Sequence, residues 1–219
     1  MDDAPFTLWS HTVTARQPAL ILPDGCQDVL ILRAPGRPAQ VMLTPLDGRP
    51  RQTTLAAGTC ITGWRLRPGT CPPASALAAL TRDPGQAAQI LPAALSPDPA
   101  LPQLIAAIAR ADQPLTTQAR LVGLSLRSLQ RQFAALGLPP PGWWRGLGRA
   151  RRAAAALATP LPLALIAADC GFADQAHMTR AMTRWFGQSP AALRADPQRR
   201  WLLDQPGLGN WTGEQISTR

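Results

Sequence analysis

The stretch PLALIAADCGFADQAHMTRAMTRWFGQSP, residues 162–190, decides the fold of the C-terminal half of this chain. Leu163 and Ile166 have the spacing of one face of a short helix, and the proline that precedes them suits a helix start. Gly171 follows where a helix C-terminus needs a left-handed residue, and Asp174 is suited to cap the next helix. Two short helices joined by a tight turn that contains glycine are typical of a helix-turn-helix unit.

The second helix of this unit, predicted from Gln175 to Phe186, has two different faces. The buried face is expected to consist of Met178, Met182 and Trp185. The opposite face carries no carboxylate and consists of Gln175, Ala176, Thr179, Arg180 and Thr183. A polar face without negative charge suits a surface that meets bases and phosphates.

A related unit is predicted in residues 115–133. The buried face of its first helix would consist of Leu115, Ala119 and Val122 (or Leu121). Gly123 would form the turn, and Ser125 would cap a second helix from Leu126 to Phe133. The inward residues of that second helix would be Leu129 and Phe133. Its outer or flanking faces would carry Arg127, Ser128, Gln130 and Arg131.

A single helix is predicted between the two units, in residues 143–156. Alanine and arginine make this stretch a good helix former despite Gly146 and Gly148. One linking helix would fix both recognition helices on the same side of the protein. Since major-groove faces on one side of B-DNA recur every ~34 Å, one chain could then contact two successive grooves without dimerising.

The positive charge of the chain is concentrated in its C-terminal half. Residues 1–112 hold nine Arg and eight Asp, whereas residues 113–219 hold thirteen Arg against four Asp and one Glu, which places +8 of the net +9 there. All 22 basic residues are Arg. A compositional bias explains the choice of Arg over Lys, but it would act on both halves equally. The asymmetry therefore predicts a polyanionic partner on one side of the protein.

The remaining composition argues against several other classes of protein. The sequence has no run of the roughly 18 apolar residues that a membrane span needs, and its acidic N-terminus is unlike a signal peptide, so we expect a cytoplasmic location. The cysteines are scattered and are accompanied by few imidazoles: Cys26, Cys60, Cys71 and Cys170, with His11 and His177. We therefore expect no metal site and no cofactor.

Four motifs in the C-terminal half occur together: Ser125–Phe133 (SLRSLQRQF), Trp144 with Arg149 and Ala153, Ile166-Ala167 with Gly171–Gln175 (GFADQ), and Phe186–Pro190 (FGQSP). In order and spacing they resemble the DNA-binding domain of the AraC/XylS family of bacterial regulators. The resemblance covers residues 113–195. Two features depart from the family pattern. The turn at residues 137–144 is one residue longer than usual, which would shift the start of the linking helix, and Met178 stands where Phe is more frequent.

The resemblance implies a transcription regulator that binds double-stranded DNA sequence-specifically, with two recognition helices in consecutive major grooves. The implied base contacts are Arg127, Gln130, Arg131, Gln175, Ala176, His177, Thr179 and Arg180. His177, beside the buried Met178, also suits a structural role. The implied phosphate contacts are Ser125, Arg145 and Arg149. Besides DNA, the partners to consider are a small-molecule effector, a second copy of the chain and RNA polymerase.

The N-terminal half is predicted to be a small β-rich unit. Short strands are expected at Asp28–Leu32, Val41–Thr44 and Gly63–Arg67, with helices from about Ala74. Residues 21–31 and 63–69 resemble an uncharacterised domain that often precedes AraC-type helices. In the wider family this position holds a sensor or dimerisation domain, commonly a cupin-like barrel. Because a full-sized cupin would not fit, we expect a reduced barrel or a sheet packed on helices.

The candidate effector pocket consists of Asp24, Asp28, Trp64, Arg65 and Arg67. The alternative is that these are turn residues and surface arginines. The predicted architecture is α+β: residues 1–112 form a sensor or dimerisation domain, residues 113–195 an all-α DNA-binding domain, and residues 196–219 an irregular tail.

Two other functions are alternatives to regulation. Some AraC-type domains are fused to DNA-repair enzymes with a reactive cysteine, but the carboxylates flanking Cys26 would raise the pKa of its thiol and so suppress the thiolate. Two distant histidines also offer little material for catalysis. A protein-interaction adaptor that has lost DNA binding is the other alternative, and the acid-free stretch between Asp112 and Asp169 argues against it.

Overall fold

Six short strands form the N-terminal part of the protein, in a computed structural model that describes residues 4–95 and 98–212. The strands are β1 (Phe6–Thr12), β2 (Gln17–Ile21), β3 (Asp28–Arg33), β4 (Gln40–Leu43), β5 (Arg51–Leu55) and β6 (Cys60–Leu66). The predicted strands correspond to β3, β4 and β6. The strands β1, β2 and β5 were not predicted, because β1 and β5 carry more polar residues and β2 contains Pro18, which disfavours a strand.

The strands form two antiparallel sheets. One has four strands in the order β1-β6-β3-β4, and the other is the pair β2-β5. In the larger sheet Gly63 of β6 lies opposite Trp9 of β1. A Cβ on Gly63 would overlap the indole ring of Trp9, which explains why a glycine occupies this central strand.

Two helices, α1 (Ala74–Arg82) and α2 (Ala87–Ala94), cover this sheet, and a 3₁₀ turn at Pro84–Gln86 joins them. The core between helices and sheet consists of Val29, Ile31, Trp64, Leu66, Leu80, Ala87, Leu91 and Leu95. The N-terminal unit is therefore a sheet packed on helices, one of the two forms that the sequence predicted.

The remaining helices build a second, larger core. They are α3 (Ala100–Arg110), α4 (Leu115–Leu121), α5 (Leu126–Ala135), α6 (Pro141–Ala156), α7 (Leu163–Asp169), α8 (Gln175–Phe186), α9 (Pro190–Arg194) and α10 (Pro197–Asp204). Although α3 precedes residue 113, it packs on α6, and its Ile105, Ile108 and Ala109 belong to the helical core. The helices within the described ranges are too short or too polar to cross a bilayer.

The C-terminal segment is more ordered than the irregular tail predicted from the sequence. It contains α10, whose N-terminus is capped by Asp196 through a hydrogen bond from the backbone N–H of Arg199 (3.0 Å). Pro197 at the first helical position supports the same start. Residues 213–219 of the predicted tail lie outside the described residues.

A buried arginine on α6 connects this segment to the rest of the fold. Arg151 donates to the backbone oxygens of Leu208 (2.9 Å) and Gln205 (3.0 Å) and to Oδ1 of Asn210 (2.8 Å). The backbone N–H of Leu208 in turn donates to the backbone oxygen of Asp24 (2.8 Å). The segment after α10 thus joins α6 to the turn before β3.

The helices α3 and α6 approach each other closely at Gly148. A Cβ on Gly148 would lie 2.6 Å from the backbone oxygen and 2.9 Å from the Cα of Ala109. These are backbone atoms, which cannot move aside as a flexible side chain would. By contrast, a Cβ on Gly146 would lie 3.5 Å from the nearest atom of Trp185, an ordinary contact distance.

We expect Gly148→Ala to lower the free energy of unfolding by about 1–3 kcal/mol, because the added methyl group must force the two helices apart. Gly146→Ala is the matched control on the same helix, and we expect it to be neutral or to stabilise by up to about 1 kcal/mol through helix propensity. Urea unfolding followed by circular dichroism measures both. Equal effects from the two substitutions would contradict the close packing of α3 on α6.

Candidate nucleic-acid interface

The second helix-turn-helix unit is formed by α7 and α8. Gly171 in the turn has a φ of 74°, and Asp174 caps α8 by accepting a hydrogen bond from the backbone N–H of His177 (2.6 Å). Phe172 is buried between the helices, and Gly187 ends α8 in the left-handed conformation. The turn and cap predicted from the sequence are confirmed.

The two faces of α8 are divided as predicted. Its buried residues are Met178, Met182, Trp185 and Phe186. Gln175, Ala176, Arg180 and Thr183 are exposed on the other side. Thr179 is half-buried, and its hydroxyl donates to the backbone oxygen of Gln175 (2.9 Å).

His177 has contacts within the fold. Its ring lies edge-on to Phe172 at 5.3 Å between centroids, and its Nδ1 accepts from the backbone N–H of Ala173 (3.4 Å). The side chain is half-buried. These contacts fix the imidazole against the turn of the unit, which is the structural role weighed beside base contact.

The first unit is formed by α4 and α5. Gly123 has a φ of 72°, and the hydroxyl of Ser125 accepts from the backbone N–H of Ser128 (3.0 Å). On α5, Leu129 and Phe133 are buried, as predicted. The exposed side chains of this helix include the three predicted base contacts Arg127, Gln130 and Arg131.

The predicted inward face of α4 was partly wrong. Leu121 and Val122 are 77% and 46% exposed, whereas Ala119 is fully buried. Because α4 ends at Leu121, the chain leaves the helix before Val122 can return to the inward face. Leu124, from the turn, packs against the core in its place.

Both recognition helices pack against α6. The turn before α6 is fixed by Trp144, which is fully buried and donates from Nε1 to the backbone oxygen of Pro139 (3.0 Å). Trp143 lies edge-on to Trp185 of α8, with ring centroids 5.4 Å apart. Residues 141–144 of the predicted turn belong to the first turn of α6, and Trp143 there contributes the aromatic contact that places α8 on α6.

The predicted phosphate contacts already have partners within the chain. Arg145 donates to the backbone oxygen of Gln113 (3.4 Å), and the guanidinium of Arg149 lies 5.4 Å from the ring centre of Phe172. Partial burial, followed by the nearby charges of Arg145 and Arg152, lowers the pKa of Arg149. These arginines therefore form a positive cluster on α6.

The candidate effector residues are engaged within the fold. Asp24 forms an ion pair with Arg65, and Trp64 belongs to the sheet core. Arg67 also has a partner in the structure. The carboxylate of Asp28 accepts a hydrogen bond from Nε1 of Trp9 (2.9 Å). Three surface cavities of about 430, 610 and 700 Å³ are lined by other residues. An effector pocket at these five residues stays a prediction.

Cys26 lies beside this group and is buried. Burial, followed by the charge of Asp28, raises the pKa of its thiol far above the ordinary value. A thiol in these surroundings is held in its protonated form, which is a poor nucleophile.

One neighbour of α8 was not found from the sequence. The loop between β4 and β5 reaches the second unit, and a groove of about 700 Å³ is lined by Arg49, Pro50, Thr179, Arg180, Thr183, Arg184 and Gly187. A local sequence pattern offers no signal for this contact, because the loop and the helix are far apart along the chain.

A comparison with protein families agrees with this assignment of helix-turn-helix units. A family described as "Helix-turn-helix domain" matches residues 118–196. The chain is also similar to a transcriptional regulator with an AraC-type DNA-binding domain from Chromobacterium violaceum, with 31% identity over 48% of this chain and 88% of that one and a TM-score of 0.37. This chain belongs to the AraC family. It is therefore a DNA-binding transcription regulator.

Two further similarities were found among solved structures. A probable AraC family regulator from Rhodopseudomonas palustris CGA009 is 24% identical over 42% of this chain and 88% of that one, with a TM-score of 0.37. ToxT from Vibrio cholerae is 8% identical over 88% of this chain and 98% of that one, with a TM-score of 0.47. Since these TM-scores lie below 0.5, the family assignment rests on the sequence matches. A comparison with curated proteins found no match.

The buried carboxyl group of Asp28 makes the stability of this regulator depend on pH. Burial raises its pKa from 3.8 to about 6, against the opposing effect of the Trp9 hydrogen bond. The folded state therefore binds the proton more tightly than the unfolded state does. The stabilisation associated with this group is fully present below about pH 4 and is lost as the pH rises through 6.

We expect Asp28→Asn to be more stable than the wild type at pH 8, because the amide keeps an oxygen acceptor for Trp9 and removes the buried charge. The advantage should shrink as the pH falls towards 4. Urea unfolding of both proteins at pH 4, 6 and 8 gives the difference in free energy at each pH. A difference that is the same at all three values would show that the charge of Asp28 is not what matters.

Proposed function

We propose that this regulator recognises a specific double-stranded DNA site by placing α5 and α8 in two successive major grooves. The observation that carries this proposal is that two capped helices, each with an exposed polar face free of carboxylates, pack on the same helix α6. An α-helix fits the major groove of B-DNA, and groove faces on one side of the duplex recur every ~34 Å.

The proposed base contacts are the outward residues of these two helices: Arg127, Gln130 and Arg131 on α5, and Gln175, Ala176, His177, Thr179 and Arg180 on α8. Their chemistry supports the assignment. Arg is suited to pair with guanine and Gln with adenine, each through two hydrogen bonds in the major groove. His177 is the weakest member of the set, because its ring is already held against Phe172.

The proposed phosphate contacts are Ser125 with the N-terminus of α5, and Arg145 and Arg149 on α6. The positive cluster that the two arginines form with Arg152 supports this role, since phosphate contacts need charge rather than a fixed pairing geometry. Such contacts would set the position of the protein on the duplex without selecting its sequence.

The proposed role of residues 1–112 is that of a sensor or dimerisation domain for the DNA-binding domain at residues 113–195. The packing of α3 on α6 supports communication between the two, because α3 follows the sheet unit and belongs to the helical core. The proposed partners are double-stranded DNA, a small-molecule effector, a second copy of the chain and RNA polymerase, and the proposed location is the cytoplasm.

We expect Arg131→Ala and Arg180→Ala each to weaken binding to the selected site by about 1–3 kcal/mol and to relax base preference at different positions. Arg149→Ala should weaken binding to all sequences by a similar factor, because it removes a phosphate contact. Selection of binding sites from a randomised duplex pool, followed by affinity measurements on single-base variants of the selected site, checks both expectations.

The wild-type chain provides the reference for these variants. It should select one discrete site, with an affinity that falls steeply as the salt concentration rises. Equal binding to every duplex would overturn the proposal of sequence-specific recognition. Identical specificity profiles in all three variants would overturn the division into base and phosphate contacts.

A further inference from the structure

We propose that Arg49, in the loop between β4 and β5, is a DNA phosphate contact beside the second recognition helix. The N-terminal unit would then take part in DNA binding directly. This inference rests on the proposed function, since it requires α8 to enter a major groove.

The loop at residues 44–50, which we call the docking loop, is seated on the second helix-turn-helix unit. Leu46 packs against the helical core. A Cβ on Gly48 would lie 3.5 Å from Nε1 of Trp143, and a Cβ on Gly187 would lie 3.2 Å from Cγ of Pro50. Arg49 therefore lies between Gly48, which is next to Trp143 of α6, and Pro50, which is next to Gly187 at the end of α8.

The side chain of Arg49 is available for a ligand. It is exposed, and it lines the groove of about 700 Å³ together with Arg180 and Arg184 of α8. The carboxylate of Asp47, in the same loop, accepts from Nε and Nη2 of Arg51, each at 3.1 Å, and is thus already paired. Among the residues that the structure describes, the lining of this groove includes three guanidinium groups and no acidic side chain, which suits a polyanion.

The geometry of B-DNA identifies which part of the polyanion would lie there. The major groove is about 12 Å wide, and an α-helix with its side chains is about 10–12 Å across. A helix in the groove is therefore flanked by the two phosphate backbones, while its outward side chains meet the bases. An element that borders the helix, as the docking loop borders α8, faces phosphates rather than base edges.

This placement distinguishes Arg49 from Arg180. Arg180 lies on the outward face of α8, where a base contact is proposed. Arg49 lies on the docking loop, beside α8. Removal of Arg49 should weaken binding to all sequences alike, and removal of Arg180 should change which sequence is preferred.

The test is a salt titration of the full-length chain on the DNA site that the wild type selects, read by fluorescence anisotropy. We expect Arg49→Ala to lower the slope of log affinity against log salt by about 0.9 and the affinity at 0.15 M salt by about fivefold, with base preference unchanged. Arg49→Lys keeps a positive charge at this position and should restore most of the slope, because a phosphate contact does not need the fork of a guanidinium.

Arg37→Ala is the matched control, because it removes the same charge from an exposed turn at the opposite end of β4. Its slope should equal that of the wild type. If Arg49→Ala and Arg37→Ala have the same slope, or if Arg49→Ala changes base preference, the assignment of Arg49 is overturned while the proposed function stands. If the wild type selects no site, the proposed function itself is overturned.

Discussion

Gly148 and Ala109 bring the backbones of α6 and α3 together at a separation that leaves no room for a Cβ at position 148 unless the helices shift. This contact is one part of a more general constraint on α6, which packs against helices of both helix-turn-helix units and against α3 and α10. Trp144, Leu147, Ala150 and Ala153 are fully buried along its length. The relative position of the two recognition helices is thus set by one helix whose freedom to shift is small.

The junction between the sheet unit and the helical core is held by polar groups in addition to apolar contacts. Arg151 is buried among backbone oxygens of the segment after α10, and Arg65 is buried beside Asp24. Burial, followed by the charge of Arg151, lowers the pKa of Arg65 to about 10. Because a buried charge that loses its partners is costly, these contacts favour the observed arrangement of the two parts.

The parts of this structure that could be predicted from the sequence are those that local chemistry determines. Gly171, Asp174 and Ser125 act within a few residues of their position, and each has the predicted turn or cap geometry. The exposure of Val122 depends on where α4 ends, and no single residue in the sequence marks that end. The position of Arg49 beside α8 depends on packing between segments that are far apart in the sequence. The burial of Trp64 in the sheet core also depends on packing between distant segments, and an effector pocket beside it stays a prediction.

The contact between the docking loop and α8 bears on how such a protein can be recombined. Gly187 lies so close to Pro50 that a Cβ there would be 3.2 Å from Cγ of Pro50, so the sheet unit and the DNA-binding domain have complementary shapes at this point. A chimera that joins this sheet unit to the DNA-binding domain of another regulator would keep the docking loop. It would lose the complementary surface of α6 and α8 on which the loop packs. The two halves of the chain are therefore not interchangeable modules. Exchanging them between proteins would require matched substitutions on both sides of the contact between the docking loop and α8.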